Sequence, residues 1–278
     1  MTDPLTSFDR RRALQLLGGA GLVVLAACSS TKDATSSSAT SAAGTDPAAA
    51  TTATDGTAGT TATTAGATAS DVGQIPEETA GPYPGDGSNG LNVLTEDGVV
   101  RTDIRSSFGS AGTNTAEGVP ATIEFTIVDS STGSPLTDAA VYVWHCDREG
   151  RYSGYSQGAE SENYLRGVQP TDSSGVASFS SIYPACYSGR WPHMHFEIYK
   201  SIDDATSGGT KLATSQIALT EDVSDTVYAE AGYEQSVQNM SQVSLSSDMV
   251  FSDGVELETP TVSGSVADGY TIALTVGV

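Results

Sequence analysis

From Ile123 onward the sequence repeatedly alternates apolar and polar residues over short runs, and this period of two is what most narrows the folds open to the chain. Ile123 to Val128 is one such run. Val141 to Cys146, Val176 to Ile182, His193 to Tyr199, Leu212 to Leu219, Val243 to Phe251 and Tyr270 to Val276 are the others. Between them stand turn-forming clusters such as Thr132-Gly133-Ser134-Pro135, Asp172-Ser173-Ser174-Gly175 and Ser207-Gly208-Gly209-Thr210. Helical periodicity is weak, with Ser224 to Gln238 the best candidate, and no internal repeat is visible. The pattern predicts an all-β domain, an antiparallel β-sandwich.

The N-terminal quarter follows other rules. Arg10-Arg11-Arg12 precedes an apolar run, Ala13 to Ala27, that is too short for an ordinary transmembrane helix and suits the core of a signal peptide. Leu25-Ala26-Ala27-Cys28 resembles a bacterial lipoprotein signal, with Cys28 as the lipidated residue. The arginines, preceded by Ser7 and Asp9, look like a twin-arginine export signal; a plain cleaved secretory signal is the alternative. Residues 28–72 are mostly Thr, Ala, Ser and Gly without apolar periodicity, a composition expected to stay disordered as a tether. The expected organisation is therefore a signal peptide at 1–27, a tether at 28–72 and one folded domain at 73–278.

A net charge of −22 argues against nucleic acid and anionic lipid headgroups as partners, so the only expected membrane contact is an N-terminal lipid anchor. The expected location is extracytoplasmic, on the outer face of the cell membrane or secreted. With Cys28 assigned to lipidation, Cys146 and Cys186 remain as a pair in an oxidising compartment. That predicts a disulfide between them, the alternative being two buried free thiols.

Two of the three histidines in the chain sit in Cys186-Tyr187-Ser188-Gly189-Arg190-Trp191-Pro192-His193-Met194-His195-Phe196. On a strand, His193, His195, Glu197 and Tyr199 share one face and Met194, Phe196 and Ile198 the other. Two imidazoles on one face are a common way to supply neighbouring ligands to a metal, although a wet polar face has the same pattern.

The surrounding motifs carry more. Trp144-His145-Cys146-Asp147-Arg148-Glu149-Gly150-Arg151-Tyr152 is followed by Arg166-Gly167, Thr171-Asp172-Ser173-Ser174-Gly175, Pro184-Ala185-Cys186-Tyr187, and Arg190 before His193-Met194-His195-Phe196. In this order, over about residues 76 to 220, the chain resembles the intradiol ring-cleavage dioxygenases, the family of catechol and protocatechuate dioxygenases. The resemblance implies a non-haem Fe(III) centre on Tyr152, Tyr187, His193 and His195. Hard phenolate donors favour Fe(III), and tyrosinate is an unusual ligand for zinc. It places Arg190 where a fixed positive charge stabilises charge on the substrate ring, and Gln216 as a neutral hydrogen-bonding neighbour. Tyr187 is implied to be the phenolate that substrate displaces. Thr79-Ala80-Gly81-Pro82-Tyr83 resembles the stretch that lines the mouth of the family's site, which gives Thr79, Gly81, Pro82 and Tyr83 as substrate-binding candidates; a simple proline turn is the other reading. The implied reaction takes an aromatic diol and O2 and opens the ring between the hydroxyls to a cis,cis-muconate-type diacid, with no organic cofactor.

The chain also departs from the pattern. Only five residues separate Tyr187 from His193, where the better-known enzymes have a longer loop, which suggests a more open site. No helical dimerisation region precedes the domain, so that dimer is not carried over and the oligomeric state stays open. The competing reading is a surface-anchored β-sandwich binding module, for carbohydrate or adhesion, without turnover.

Overall fold

A computed structural model describes residues 72–278. The signal peptide, the lipidation site Cys28 and nearly all of the tether lie outside these residues. Among those described, no helix is long and apolar enough to cross a membrane.

Two four-stranded sheets form the sandwich. The first has the order β4-β1-β8-β7 and the second β3-β2-β5-β6. The strands are β1 (Pro120–Val128), β2 (Ala140–Trp144), β3 (Arg166–Pro170), β4 (Val176–Ile182), β5 (His193–Tyr199), β6 (Lys211–Ala218), β7 (Thr261–Ser265) and β8 (Gly269–Gly277). Neighbours are antiparallel except β1 and β8, which run parallel. Between the sheets, Ile123, Phe125 and Ile127 of β1 and Ile272 and Leu274 of β8 pack with Val141 and Val143 of β2 and Met194, Phe196 and Ile198 of β5. Truncating a fully buried ring such as Phe125 to alanine costs about 3 to 5 kcal/mol, by lost transfer energy and the cavity left behind.

The second sheet is covered on both faces. Its outer face carries Ala140, Tyr142, Trp144, Val168 and Tyr199, packed with Val93, Leu94 and Val99 from the segment before β1. Every residue of β2 and β5 is buried as a result. A strand whose polar positions are all buried must pair or ligate them. That requirement places the functional groups on the outer face of β5.

Three expectations from the sequence need correction. Val243 to Phe251 is not a strand. It holds two short 3-10 turns, Leu245–Ser247 and Phe251–Asp253. Ser244 and Ser247 form a reciprocal capping box, and the buried Asp248 accepts from the amides of Val250 and Phe251, so these backbone groups are satisfied within the turn. The expected helix from Ser224 to Gln238 is two helices, α2 (Glu221–Tyr228) and α3 (Glu234–Met240), broken before Gly232, whose φ of 94° no regular helix allows. A further short helix, Ile202–Ser207, joins β5 to β6.

Cys146 and Cys186 are both free and buried, which corrects the expected disulfide. Their thiols point to separate carbonyls, Cys146 to Ala185 O (3.5 Å) and Cys186 to Arg190 O (3.3 Å). They also belong to different apolar clusters, Cys146 on the outer side of the second sheet and Cys186 in the inter-sheet core. What ties the chain at Cys186 is hydrogen bonding to α3: Ser236 Oγ accepts from Cys186 N (3.1 Å), and Asn239 Nδ2 donates to Cys186 O (2.9 Å).

Candidate active site and metal centre

The loop after β2 presents Tyr152. Asp147 organises it by accepting from the amides of Glu149 (3.0 Å) and Arg151 (2.9 Å), the Arg151 guanidinium (2.9 Å) and the Tyr164 hydroxyl (2.9 Å). Gly150, at φ 82°, lies against the second tyrosine: a Cβ there would stand 3.2 Å from Tyr187 Cβ. The Gly-x-Tyr turn thereby brings two loops together that are distant in sequence. A surface cleft of about 310 Å³, lined by Arg148, Glu149, Arg151 and Tyr164 among others, opens on this loop. Its arginines are paired with Glu117, Asp147 and Glu149, and it includes none of the donors described next.

His193 is the hub. Its Nδ1 faces Trp191 O at 2.6 Å and must carry the proton, since a carbonyl only accepts. Nε2 is left as a lone pair, approached by Tyr187 Oη (3.0 Å), Tyr152 Oη (3.4 Å) and Arg190 Nη1 (3.4 Å). His195 lies beside it with ring centroids 4.8 Å apart, and stacks on Trp144 at 4.9 Å and 5°. The register explains that stack, because Trp144 and His195 are direct cross-strand partners on β2 and β5. His195 Nδ1 is buried without a hydrogen-bond partner. Gly81 packs on this imidazole, where a Cβ would meet Cε1 at 3.3 Å.

Arg190 and Gln216 are joined to this cluster. Gln216, opposite His195 on β6, accepts from Arg190 Nη2 (2.7 Å) and donates to Thr79 O (2.8 Å). Tyr83 packs, tilted, against Tyr152 and Tyr155, with ring centroids 4.9 and 5.2 Å away. Thr79, Gly81 and Tyr83 thus border the site. Pro82 is exposed, and its carbonyl accepts from Asn89.

Two residues that position this site were not singled out from the sequence. Arg166, fully buried on β3, anchors the segment around Tyr83: its guanidinium donates to Tyr83 O, Pro84 O, Ser153 O, Ser153 Oγ and Tyr142 Oη at 2.9 to 3.2 Å. In the sequence it stands out only as part of an Arg-Gly motif. Asp248 accepts from Arg190 Nε (2.9 Å) and from Trp191 N (2.6 Å). Burial raises its pKa, but the Trp191 and Val250 amides and Arg190 outweigh that and hold it below the usual carboxylate range. In the expected strand it would have been an ordinary polar position.

Burial dominates the electrostatics of the four candidate ligands. It pushes His193 down to about 3, helped by the Arg190 charge, and drives His195 well below the ordinary imidazole value. Both rings are neutral, as ligation requires. Burial likewise raises Tyr187 to about 12 and Tyr152 well above the ordinary phenol value. Two neutral imidazoles and two phenols facing one another, with one imidazole nitrogen unpartnered, fit a metal that accepts hard oxygen and nitrogen donors. Among the described residues no group of three or more His, Cys, Asp or Glu side chains is placed to hold a metal, so any metal held here depends on the phenols.

Comparison with known proteins bears on the fold. A solved structure of an intradiol ring-cleavage dioxygenase from Tetranychus urticae is similar, with a TM-score of 0.57 and 23% identity, over 73% of this chain and 93% of that one. A second dioxygenase crystal structure gives a TM-score of 0.58 and 22% identity over the same shares, 73% and 93%. Residues 101–207 match the family model described as Dioxygenase. The described residues have the fold of an intradiol dioxygenase. The segment that matches the family model includes Tyr152, Tyr187, Arg190, His193 and His195, and leaves out Gln216, Asp248 and residues 79–83. No curated protein matches the chain at a significant level.

Proposed function

We propose that the domain is a non-haem Fe(III) intradiol dioxygenase acting outside the cytoplasm. The observation that carries this reading is the meeting of Tyr187 Oη and Tyr152 Oη on His193 Nε2 at 3.0 and 3.4 Å, with His195 at its side and Arg190 in contact. Tyr152, Tyr187, His193 and His195 would hold the iron. When bound, the iron supplies Lewis-acid activation of the aromatic diol.

The residues of the chain have separable tasks. Tyr187 is half-buried, and as a phenolate its Oη would be basic enough to receive a proton from a substrate hydroxyl. Arg190 offers a fixed positive charge at the ring, kept in place by Gln216. Thr79, Gly81 and Tyr83 bound the space in which the ring is oriented, and burial of β5 keeps water from the histidines. The balanced reaction adds both atoms of O2 to a catechol and breaks the carbon–carbon bond between the hydroxyl-bearing carbons, giving a cis,cis-muconate-type diacid.

The location rests on the sequence alone: Arg10-Arg11-Arg12, the apolar run and Leu25-Ala26-Ala27-Cys28 support export and a lipid anchor. Oxygen uptake with catechol tests the activity, beside Tyr152→Phe and His195→Ala. Wild type is expected to be coloured by phenolate-to-iron charge transfer and to consume oxygen, and both variants to lose most of the uptake. A colourless, iron-free protein from iron-replete medium, inert toward catechols, would leave the binding-module reading in its place.

A further inference from the structure

We propose that Asp248 is a positioning residue for Arg190, fixing its guanidinium so that Nη1 and Nη2 are delivered to His193 and Gln216. Its effect on turnover rests on the dioxygenase reading; the positioning itself does not.

Asp248 is fully buried, and every contact of its carboxylate is a donor from one of two segments. Oδ1 accepts from Val250 N (2.8 Å), Phe251 N (3.3 Å) and Arg190 Nε (3.2 Å). Oδ2 accepts from Arg190 Nε (2.9 Å) and Trp191 N (2.6 Å). One carboxylate thereby locks the turn at 248–253 to the two residues that lead into β5. A carboxylate needed only to cap its own turn is satisfied by the Val250 and Phe251 amides. Here the remaining acceptor capacity goes to Arg190 and to the amide beside it.

Arginine has rotatable bonds enough to turn its guanidinium away, and three contacts remove that freedom. Nε is held by Asp248, Nη2 by Gln216 Oε1, and the plane stands 5.6 Å from the centroid of Phe251, which is itself packed on His193 at 6.3 Å. Nη1 is what is left to face His193 Nε2. Asp248 also supplies the negative charge that lets a buried guanidinium stay in the site. It lies outside the segment that matches the family model, in a stretch whose alternating pattern hides it.

The test uses Asp248→Asn in the wild-type and Arg190→Gln backgrounds, with three readouts: the Arg190 Nε–H resonance of the metal-free protein, bound iron, and kcat/KM for catechol. Asp248→Asn is expected to retain iron, lose exchange protection at Arg190 Nε–H, and lower kcat/KM about tenfold or more, chiefly in kcat. In the Arg190→Gln background it should add less than about threefold, because the two residues act as one unit. Equal losses in both backgrounds, or loss of iron in step with activity, would overturn the proposal in favour of a structural role. If Asp248→Asn does not fold, the wild-type resonance decides, assigned by its loss in Arg190→Lys. An Arg190 Nε–H exchanging as fast as those of exposed arginines overturns the proposal, and a protected one supports it. A wild type that takes up no oxygen sinks the dioxygenase reading and not this one, which the resonance then decides alone.

Discussion

Trp144 lies face to face with His195, ring centroids 4.9 Å apart and planes within 5°. The chain's other tryptophan, Trp191, accepts the Nδ1 proton of His193 on its carbonyl. The Trp144 indole therefore lies directly on a candidate ligand, while Trp191 meets His193 through its main chain. Titrating Fe(III) into metal-free protein is expected to quench the intrinsic fluorescence to a one-to-one end point. Trp144→Phe should bind iron with part of that quench missing. Unchanged fluorescence on stoichiometric iron uptake would place the metal elsewhere.

Arg166 satisfies three carbonyl oxygens and two hydroxyls, in buried contacts except the part-buried one to Tyr83 O. Replacing it with alanine strands these acceptors, and the expected loss is about 3 to 5 kcal/mol in denaturant unfolding. Arg166→Lys should fall between the two, since an ammonium keeps the charge but cannot bridge Tyr83, Pro84 and Ser153 together. A loss below about 1 kcal/mol for the alanine variant would show that the segment at 79–85 is held by other contacts.

Glu258 gives the domain a pH dependence of known sign. Its side chain is fully buried, Oε2 has no partner, and burial, with Glu78 and Asp253 adding to it, pushes the carboxyl up to about 8. A carboxyl raised on folding stabilises the fold where it is protonated in both states, below about pH 4.5, and loses that contribution as pH rises through about 8. Glu258→Gln is therefore expected to be more stable than wild type at pH 8, with the gap closing toward pH 4.5. Urea midpoints across that range test it, and a gap that is constant with pH would rule out this titration.

On the dioxygenase reading, the surroundings of Arg190 are expected to favour substrates without an acidic substituent. Its charge is matched by Asp248, and Glu78 stands close enough to feel Arg190, Asp248 and Asp253; burial, with Asp253 adding to it, raises the Glu78 carboxyl. A carboxylated catechol brings a further negative charge into this field. On the dioxygenase reading, kcat/KM for catechol is expected to exceed that for 3,4-dihydroxybenzoate by about tenfold or more, and Glu78→Gln should narrow the ratio. Equal rates for the two substrates in wild type would remove the argument.

Cys146 and Cys186 should both titrate as thiols under denaturing, non-reducing conditions, and reductant should leave the thermal midpoint unchanged. Burial raises both, Cys186 to about 12, so neither should react with a thiol reagent in the folded protein at neutral pH. Mass spectrometry of the unreduced protein finding the pair two hydrogens light would contradict the structure.

The sequence by itself determined the β-sandwich, six of its eight strands, and the ligand candidates. Strand periodicity is local, and His193 and His195 share a face wherever β5 lies. It missed β3 and β7, which are five residues each and carry little apolar alternation: Arg166-Gly167-Val168-Gln169-Pro170 and Thr261-Val262-Ser263-Gly264-Ser265. It also took Val243 to Phe251 for a strand, because alternation looks the same when a buried carboxylate is what organises the turn. Only the tertiary structure decided that β5 is covered on both sides, that Tyr152 and Tyr187 converge on one imidazole nitrogen, and that two buried ions, Arg166 and Asp248, hold the surrounding segments. Apart from Tyr187 and His193, six positions apart, these are contacts between residues tens of positions apart. Their energy comes from removing polar groups from water together, and no local pattern records which groups will meet.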